Sequence, residues 1–459
     1  MIKLFLPLVL LVGILLIRQI PRIGGNALAA FLVGGITALI TGGISDPRIW
    51  AGAWFETFDS ISYAAWIILL GSIFAGFQKK KGSIDLVLDI LRVLFGQSAQ
   101  GLVAAVMITL FFSGAVMGTT LAAAATIGII VVPLLNDMKL KPEMICAMCL
   151  SGASMGSIMP PVSNSVVFAA GMMGIDALAA IRKTYLSVGL GLVVVCFIFS
   201  KIYVGKKYRL PEELIPKEKI SDLLKSGWKK LIPIGILFLL TALASIPVFS
   251  LDVLKLILEK LVGTTVWRRF ALIPILGKLT NTVVLALVLC SVISFFMSGG
   301  PWKERIETVA SSCRTVKGTL LLTVVMAFFI ASYTAGGQVE LIMTWASGLS
   351  GHMLIWGGAI LFLFFGMLLG SQANSMALLI PIFAPAFMGA GISEVNTCAA
   401  ISHLAMAGQG MPPADTNAFA IAGIVEGVLH KKVNAQKAML YSLPYCIYLA
   451  VAGLAFCYL

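Results

Sequence analysis

The sequence predicts an all-α polytopic membrane protein, an inverted repeat of about five spans plus one re-entrant hairpin each. Three observations carry this. Apolar residues make up 59% of the 459 and charged residues only 12%, with a mean hydropathy of +1.01; a soluble domain carries roughly 25% charged residues. Apolar runs long enough to cross hydrocarbon recur along the chain. A self-match at an offset of 252 residues (412 − 160) relates the two halves.

The net charge of +13 does not point to nucleic acid. Lys and Arg fall in short runs between apolar stretches, which is the positive-inside pattern and not a basic face with stacking aromatics. No nucleic-acid partner is expected. The cysteines sit mostly inside apolar runs; Cys146 and Cys149 are closely spaced but lack the His or Cys set that would complete a metal site. They read as small buried hydrophobes. Residues 1–17 have the hydrophobicity of a signal peptide, yet Arg18, Gln19, Pro21 and Arg22 follow in place of a small-residue cleavage site. This run is therefore read as the first span, kept in the mature chain.

In the first half the apolar runs are 4–17, 27–40, 61–77, 101–112, 118–135, 144–172 and 186–199. In the second half they are 231–248, 283–297, 319–330, 354–370, 376–388, 397–428 and 439–459. Putting basic loops in the cytoplasm places Arg18 and Arg22, Lys79 to Lys81, the stretch 206–230, Lys303 to Lys317 and His430 to Lys432 inside. The pair 101–112 and 118–135 must then enter and leave from the cytoplasm. The pair 354–370 and 376–388 has no Lys or Arg on either flank and should dip in from outside. Both turn at Gly and Ser, so both are read as re-entrant hairpins, with about ten full crossings and both ends of the chain outside.

The offset of 252 superposes Met159-Pro160-Pro161 on Met411-Pro412-Pro413, Gly118 on Gly370, Pro133 on Pro385, Cys146 on Cys398, Gly156 on Gly408 and Gly171 on Gly423. Gapless matches of Gly and Pro are hard to reach by composition alone. An odd number of crossings per copy turns the second copy upside down. The expected division is a first repeat 1–204 (scaffold spans 1–100, hairpin and broken helix 101–175, closing span 176–204) and a cytoplasmic linker 205–230. The second repeat is 231–459 (scaffold spans 231–353, hairpin and broken helix 354–430, closing span 431–459).

Four polar segments fall at membrane depth. Two are hairpin turns, 113–120 and 370–375; two are breaks, 156–165 and 408–417, each holding a Pro-Pro pair. Tandem prolines remove two backbone donors and force the preceding residue out of the helical region, so the helix must come apart. Carbonyls freed in lipid cost several kcal/mol each unless coordinated, a need that dehydrated Na⁺ meets. The half-helix after each Pro-Pro aims its N–H groups at the same space, where they favour a carboxylate.

Substrate contacts are accordingly expected from Ser113, Gly118, Thr119, Thr120, Ser163, Ser371, Gln372, Asn374 and Thr416. Cation ligands are expected from Gly114, Gly156, Ser157, Asn164, Gly370, Gly408, Asp415 and Asn417. Singly, such Ser and Gly residues as often serve helix packing. Asp415 is the sole acid in the four segments, and an ionisable group at that depth is usually functional, as cation ligand or proton carrier. His403 could relay a proton, although a lone His more often bonds for packing.

At these residues the sequence resembles the ion transporter superfamily, and most closely the large membrane subunit of tripartite ATP-independent periplasmic (TRAP) transporters. The stretch 113–171 is similar to that family's first hairpin and Gly-x-x-x-Pro-Pro break, and 366–423 to its second hairpin and Pro-Pro-x-x-x-Asn break, here Pro412, Pro413 and Asn417. Asp415 stands where that family often has Gly.

The resemblance implies a secondary active permease of the bacterial or archaeal cytoplasmic membrane. It would move small organic anions such as dicarboxylates with Na⁺ or H⁺ by an elevator movement, with no cofactor beyond the coupling ion. Implied partners are a small membrane subunit and a periplasmic binding protein; a homodimer stays open, as does a cation/proton antiporter of the same superfamily. No metal-hydrolase or Ser-Lys constellation in the spans points to an enzyme.

Overall fold

The protein, seen in a computed structural model, is described for residues 2–17, 19–205, 207–245, 252–338, 340, 341, 344, 348 and 351–459, and every regular element among these is helical. The first half contains α1 (Ile2–Leu16), α2 (Ala27–Gly42), α3 (Pro47–Lys81), α4 (Ser83–Phe95), α5 (Ala99–Met117), α6 (Thr120–Asp137), α7 (Pro142–Ile158), α8 (Asn164–Met173) and α9 (Ala177–Phe197). A π-helical segment (Ile198–Val204) extends α9. The second half contains α10 (Ile220–Ser245), α11 (Val253–Val262), α12 (Thr264–Ala271), α13 (Thr282–Met297), α14 (Trp302–Ala335), α15 (Gly351–Leu369), α16 (Gln372–Gly389), α17 (Glu394–Gly410), α18 (Thr416–Leu429) and α19 (Ala435–Phe456).

Local chemistry sets many of these ends. Pro47 and Pro142 occupy the first turns of α3 and α7, where the missing N–H is no loss. Asp46 caps α3 by accepting from the Arg48 amide at 2.8 Å. Gly82, at φ +63, ends α3 and lets α4 leave in a new direction.

Among the described residues, eight helices are long and apolar enough to cross a membrane, and they include α5, α6, α15 and α16. The hairpin arms are thus of spanning length, 18 or 19 residues each, longer than the apolar runs that announced them. Small and polar residues at their ends shorten the hydropathy signal without ending the helix.

The helix ends repeat at the offset of the sequence match. Adding 252 to the bounds of α5, α6 and α7 gives those of α15, α16 and α17, and adding it to the first residue of α8 gives that of α18.

Two layers of packing position the site. The long helices α3 and α14 lie against each other, flanked by α2 and α13. On the other side, α5 packs on α7 and α15 on α17, and the halves interlock: α8 lies on α16 and α17, while α18 lies on α6 and α7. The two sides meet at α3 on α8, where the Tyr63 hydroxyl donates to the Val167 carbonyl at 2.9 Å, and also at α3 on α5 and α14 on α16.

Two stretches depart from the sequence reading. The polar linker is helical from Ile220 onward, so Lys225, Lys229 and Lys230 ride on α10. The interval before α13, which carries no apolar run of spanning length, contains α11 and α12, with Leu256, Leu261 and Leu272 exposed. Their short amphipathic pattern fits a membrane surface, not a crossing.

Candidate functional site

Both predicted breaks are present. Helix α7 stops at Ile158 and α8 begins at Asn164, with Pro160–Pro161 between them; α17 stops at Gly410 and α18 begins at Thr416, with Pro412–Pro413 between them. Both Pro-Pro peptides are cis.

Each hairpin tip docks on the break of its own half. Gly118 has φ +68 and Gly370 φ +58. A methyl group on Gly118 would stand 2.8 Å from the Asn164 amide nitrogen, and one on Gly370 would collide with the Ala414 carbonyl. Glycine is therefore required twice over at both tips, for the dihedral and for the approach. The Val162 amide donates to Ala115 at 3.4 Å in the first half; in the second, the Thr416 amide and hydroxyl donate to the Gly370 carbonyl at 3.3 and 2.8 Å.

The two tips and the two breaks enclose a cavity of about 250 Å³ together with α3 and α14. Its defining feature is the convergence of four helix N-termini: Thr120, Asn164, Gln372 and Thr416, the first residues of α6, α8, α16 and α18, all line it. Among the described residues, no Lys, Arg, Asp, Glu or His lines it. Helix N-termini favour an anion there, with amide and hydroxyl groups as direct partners.

The four ends are not equivalent. In the second half they are occupied by the protein itself. Ser371 Oγ accepts from the Asn374 amide at 3.4 Å, Gln409 Oε1 accepts from the Gln372 amide at 2.7 Å, and Asp415 Oδ1 accepts from the Asn417 amide at 2.8 Å. In the first half, Thr119 before α6 and Ser163 before α8 make no side-chain cap. The Ser163 hydroxyl turns away and donates to the Ile158 carbonyl at 2.9 Å.

Of the predicted substrate contacts, Gly118, Thr119, Thr120, Ser371, Gln372 and Thr416 line the cavity, and so do Asn164 and Asn417 from the predicted cation set. The others lie behind it. Ser113 bonds to Met117 Sδ at 3.6 Å, Ser163 is buried as described, and Asn374 keeps a buried Oδ1 without a hydrogen-bond partner. Ser157 donates to the Ser154 carbonyl at 2.8 Å and reaches Thr120 at 3.5 Å.

Gly114, Gly156 and Gly408 sit where helices cross. A methyl on Gly114 would meet Gly156 at 2.9 Å, and one on Gly408 would meet the Leu363 carbonyl at 2.7 Å. These crossings join each hairpin arm to its broken helix through backbone contact, the small-residue packing of membrane helices. Gly370 serves at the second tip.

Asp415 is fully buried, caps α18 with one oxygen, and holds Oδ2 without a hydrogen bond. Gln409, 3% exposed, lies beside the Asp415 carboxylate, and its Nε2, like Oδ2, completes no hydrogen bond of ordinary geometry. His403 is bonded at both ring nitrogens, to the Ala399 carbonyl at 2.8 Å and to Ser187 Oγ at 3.0 Å, and its ring meets Phe456 edge to face. It is a packing residue between α9, α17 and α19.

Sequence reasoning assigned no role to several cavity residues. Ser165 and Gln409 lie inside the polar segments and were accessible to it. Ile68, Ser72, Thr315, Leu322 and Met326, from α3 and α14, carry no local signal; only the fold brings them here.

Helices broken at membrane depth around a cavity that their own N-termini line define a membrane transport protein. The family model described as "Tripartite ATP-independent periplasmic transporter, DctM component" matches residues 8–459, and the chain belongs to this family. It is a transporter subunit, and membership implies a small membrane subunit and a periplasmic binding protein as partners.

Two solved structures are similar. The YdaH transporter of Alcanivorax borkumensis, described as having an unusual topology, aligns at a TM-score of 0.60 and 16% identity, over 90% of this chain and 89% of that one. MtrF of Neisseria gonorrhoeae, described with a class of antimetabolite efflux pumps, aligns at 0.56 and 16% identity, over 88% and 83%. At such identity the likeness is one of fold. A search of curated proteins finds no match.

Proposed function

We propose that this chain is the transport-active subunit of a secondary carrier that moves a small organic anion across the cytoplasmic membrane, coupled to Na⁺ or H⁺. The observation that carries the reading is the meeting of four helix N-termini at one cavity without a cationic side chain. Helix ends attract an anion at its carboxylate without the desolvation cost of burying Lys or Arg in lipid.

Asp415 Oδ2, Gln409 and the breaks' carbonyls form the cation side of the site in this reading, since a buried carboxylate oxygen without a partner needs a cation or a proton. The repeating helix ends support two inverted copies that exchange access by moving the hairpin and broken-helix unit against α3 and α14, as an elevator. The cavity extends to Ala75 and Thr315, toward the basic ends of those helices, so we read this conformation as facing the cytoplasm.

The experiment is uptake of labelled acids into proteoliposomes, with the chain alone and with its two partner components. An inward Na⁺ gradient, or a proton gradient in its place, should drive accumulation. Absence of ion-driven uptake of every acid in both preparations would overturn the reading.

A further inference from the structure

We propose, building on the reading of an anion carrier, that the cavity takes an anion with a single carboxylate and an apolar body, its head at the N-termini of α6 and α8. The asymmetry of the four helix ends leads there. The two copies match in their backbone, so a symmetric site would offer one carboxylate position per copy. In the second copy that position is already taken: Asp415 supplies a carboxylate to α18, and Gln409 and Ser371 satisfy α16. A second ligand carboxylate there would find the first-turn amides already engaged.

The first copy is different at the same places. Ser163 corresponds to Asp415 and withdraws its hydroxyl to Ile158, and Thr119 leaves α6 uncapped. Asn164, at the head of α8, lines the cavity and adds a side-chain Nδ2 that can donate to a carboxylate, beside the tip at Gly118. Two open helix ends and this amide converge on one locus for one head group.

The wall opposite that locus decides the body. It is formed by Ile68, Ser72 and Ala75 from α3 and by Thr315, Val316, Leu322, Thr323 and Met326 from α14. Two of its hydroxyls are turned into backbone: Ser72 Oγ donates to the Ser312 carbonyl at 3.0 Å, and Thr315 Oγ1 to the Ser311 carbonyl at 3.0 Å. Phe168 and Met376 close the flanks. A polyhydroxylated body, or a second carboxylate, would lose its water here without replacement hydrogen bonds.

Three six-carbon acids separate the alternatives: hexanoate, adipate with a second carboxylate, and gluconate with a hydroxylated chain. Binding to the purified full chain in Na⁺, read as ligand-dependent thermal stabilisation, should be at least tenfold tighter for hexanoate than for the other two. Affinity should rise up to about fourfold for each methylene from butanoate to hexanoate. Asp415→Ala frees the Asn417 amide at the start of α18, so it should shift the ratio of adipate to hexanoate affinity toward adipate.

Equal or tighter binding of adipate or gluconate by the unmodified chain would overturn this proposal and leave the anion carrier standing. An unchanged ratio in Asp415→Ala would overturn the role given to the second copy's carboxylate. No binding of any of the three would overturn this proposal, while the carrier reading stands or falls on the uptake of labelled acids.

Discussion

Ser165 Oγ donates to Gln372 Oε1 at 2.7 Å, a bond that ties the first turn of α8 to the first residue of α16 across 207 positions of sequence. It closes the first copy's break onto the second copy's hairpin tip. Ser165→Ala and Gln372→Ala should each destabilise the protein, and the double variant should lose less than the sum. The coupling expected is about 1 kcal/mol, measured by a double-mutant cycle on thermal unfolding. Strictly additive losses would show that the bond does not join the two halves.

The glycine crossings should tolerate nothing larger. A methyl on Gly408 would press on the Phe362 and Leu363 carbonyls at 2.8 and 2.7 Å, whereas a methyl on Gly423 meets nothing within 4 Å. Gly408→Ala should cost about 1–3 kcal/mol from overpacking and abolish uptake, with Gly423→Ala as the unaffected control. Equal thermal midpoints for the two variants would refute the packing role.

Asp415 does two jobs that substitutions can separate. Asn can also cap a helix, so Asp415→Asn should fold with little loss, while Asp415→Ala should lose about 1 kcal/mol for the missing cap. Both should lose the ion dependence of uptake, because both remove the carboxylate oxygen that has no protein partner. Ion dependence retained in Asp415→Asn would remove this residue from the cation site.

His403 should prove dispensable for coupling. Its two ring nitrogens are committed to Ala399 and Ser187, so His403→Gln should lower stability by about 1–3 kcal/mol through lost buried hydrogen bonds. The ion and pH dependence of the remaining uptake should stay as in the unmodified chain. Loss of proton dependence in this variant would favour an antiporter using His403.

How much of this was legible in the sequence follows from where the signals are local. Pro160–Pro161 and Pro412–Pro413 break helices by their own covalent structure, so the breaks and the offset relating them could be read from residues alone. The tips were legible because Gly118 and Gly370 mark positive φ. What a glycine does at membrane depth was not: Gly114, Gly156 and Gly408 turn out to stand at helix crossings, and a sequence offers the same letter for a crossing as for an exposed carbonyl. Nor could it show that Asp415 caps α18, since that depends on where the break resumes as helix. The α3 and α14 wall was hidden because Ile68, Leu322 and Met326 look like any residues of a span, and α11 and α12 were missed because short surface helices lack the length that hydropathy detects.

The most direct test is the structure of the chain holding an acid that it transports, determined in Na⁺. The carboxylate should lie between Thr119–Thr120 and Asn164–Ser165, at the open ends of α6 and α8. An acid seated outside the space between the two hairpin tips, or α7–α8 and α17–α18 running as unbroken helices through their proline pairs, would contradict it.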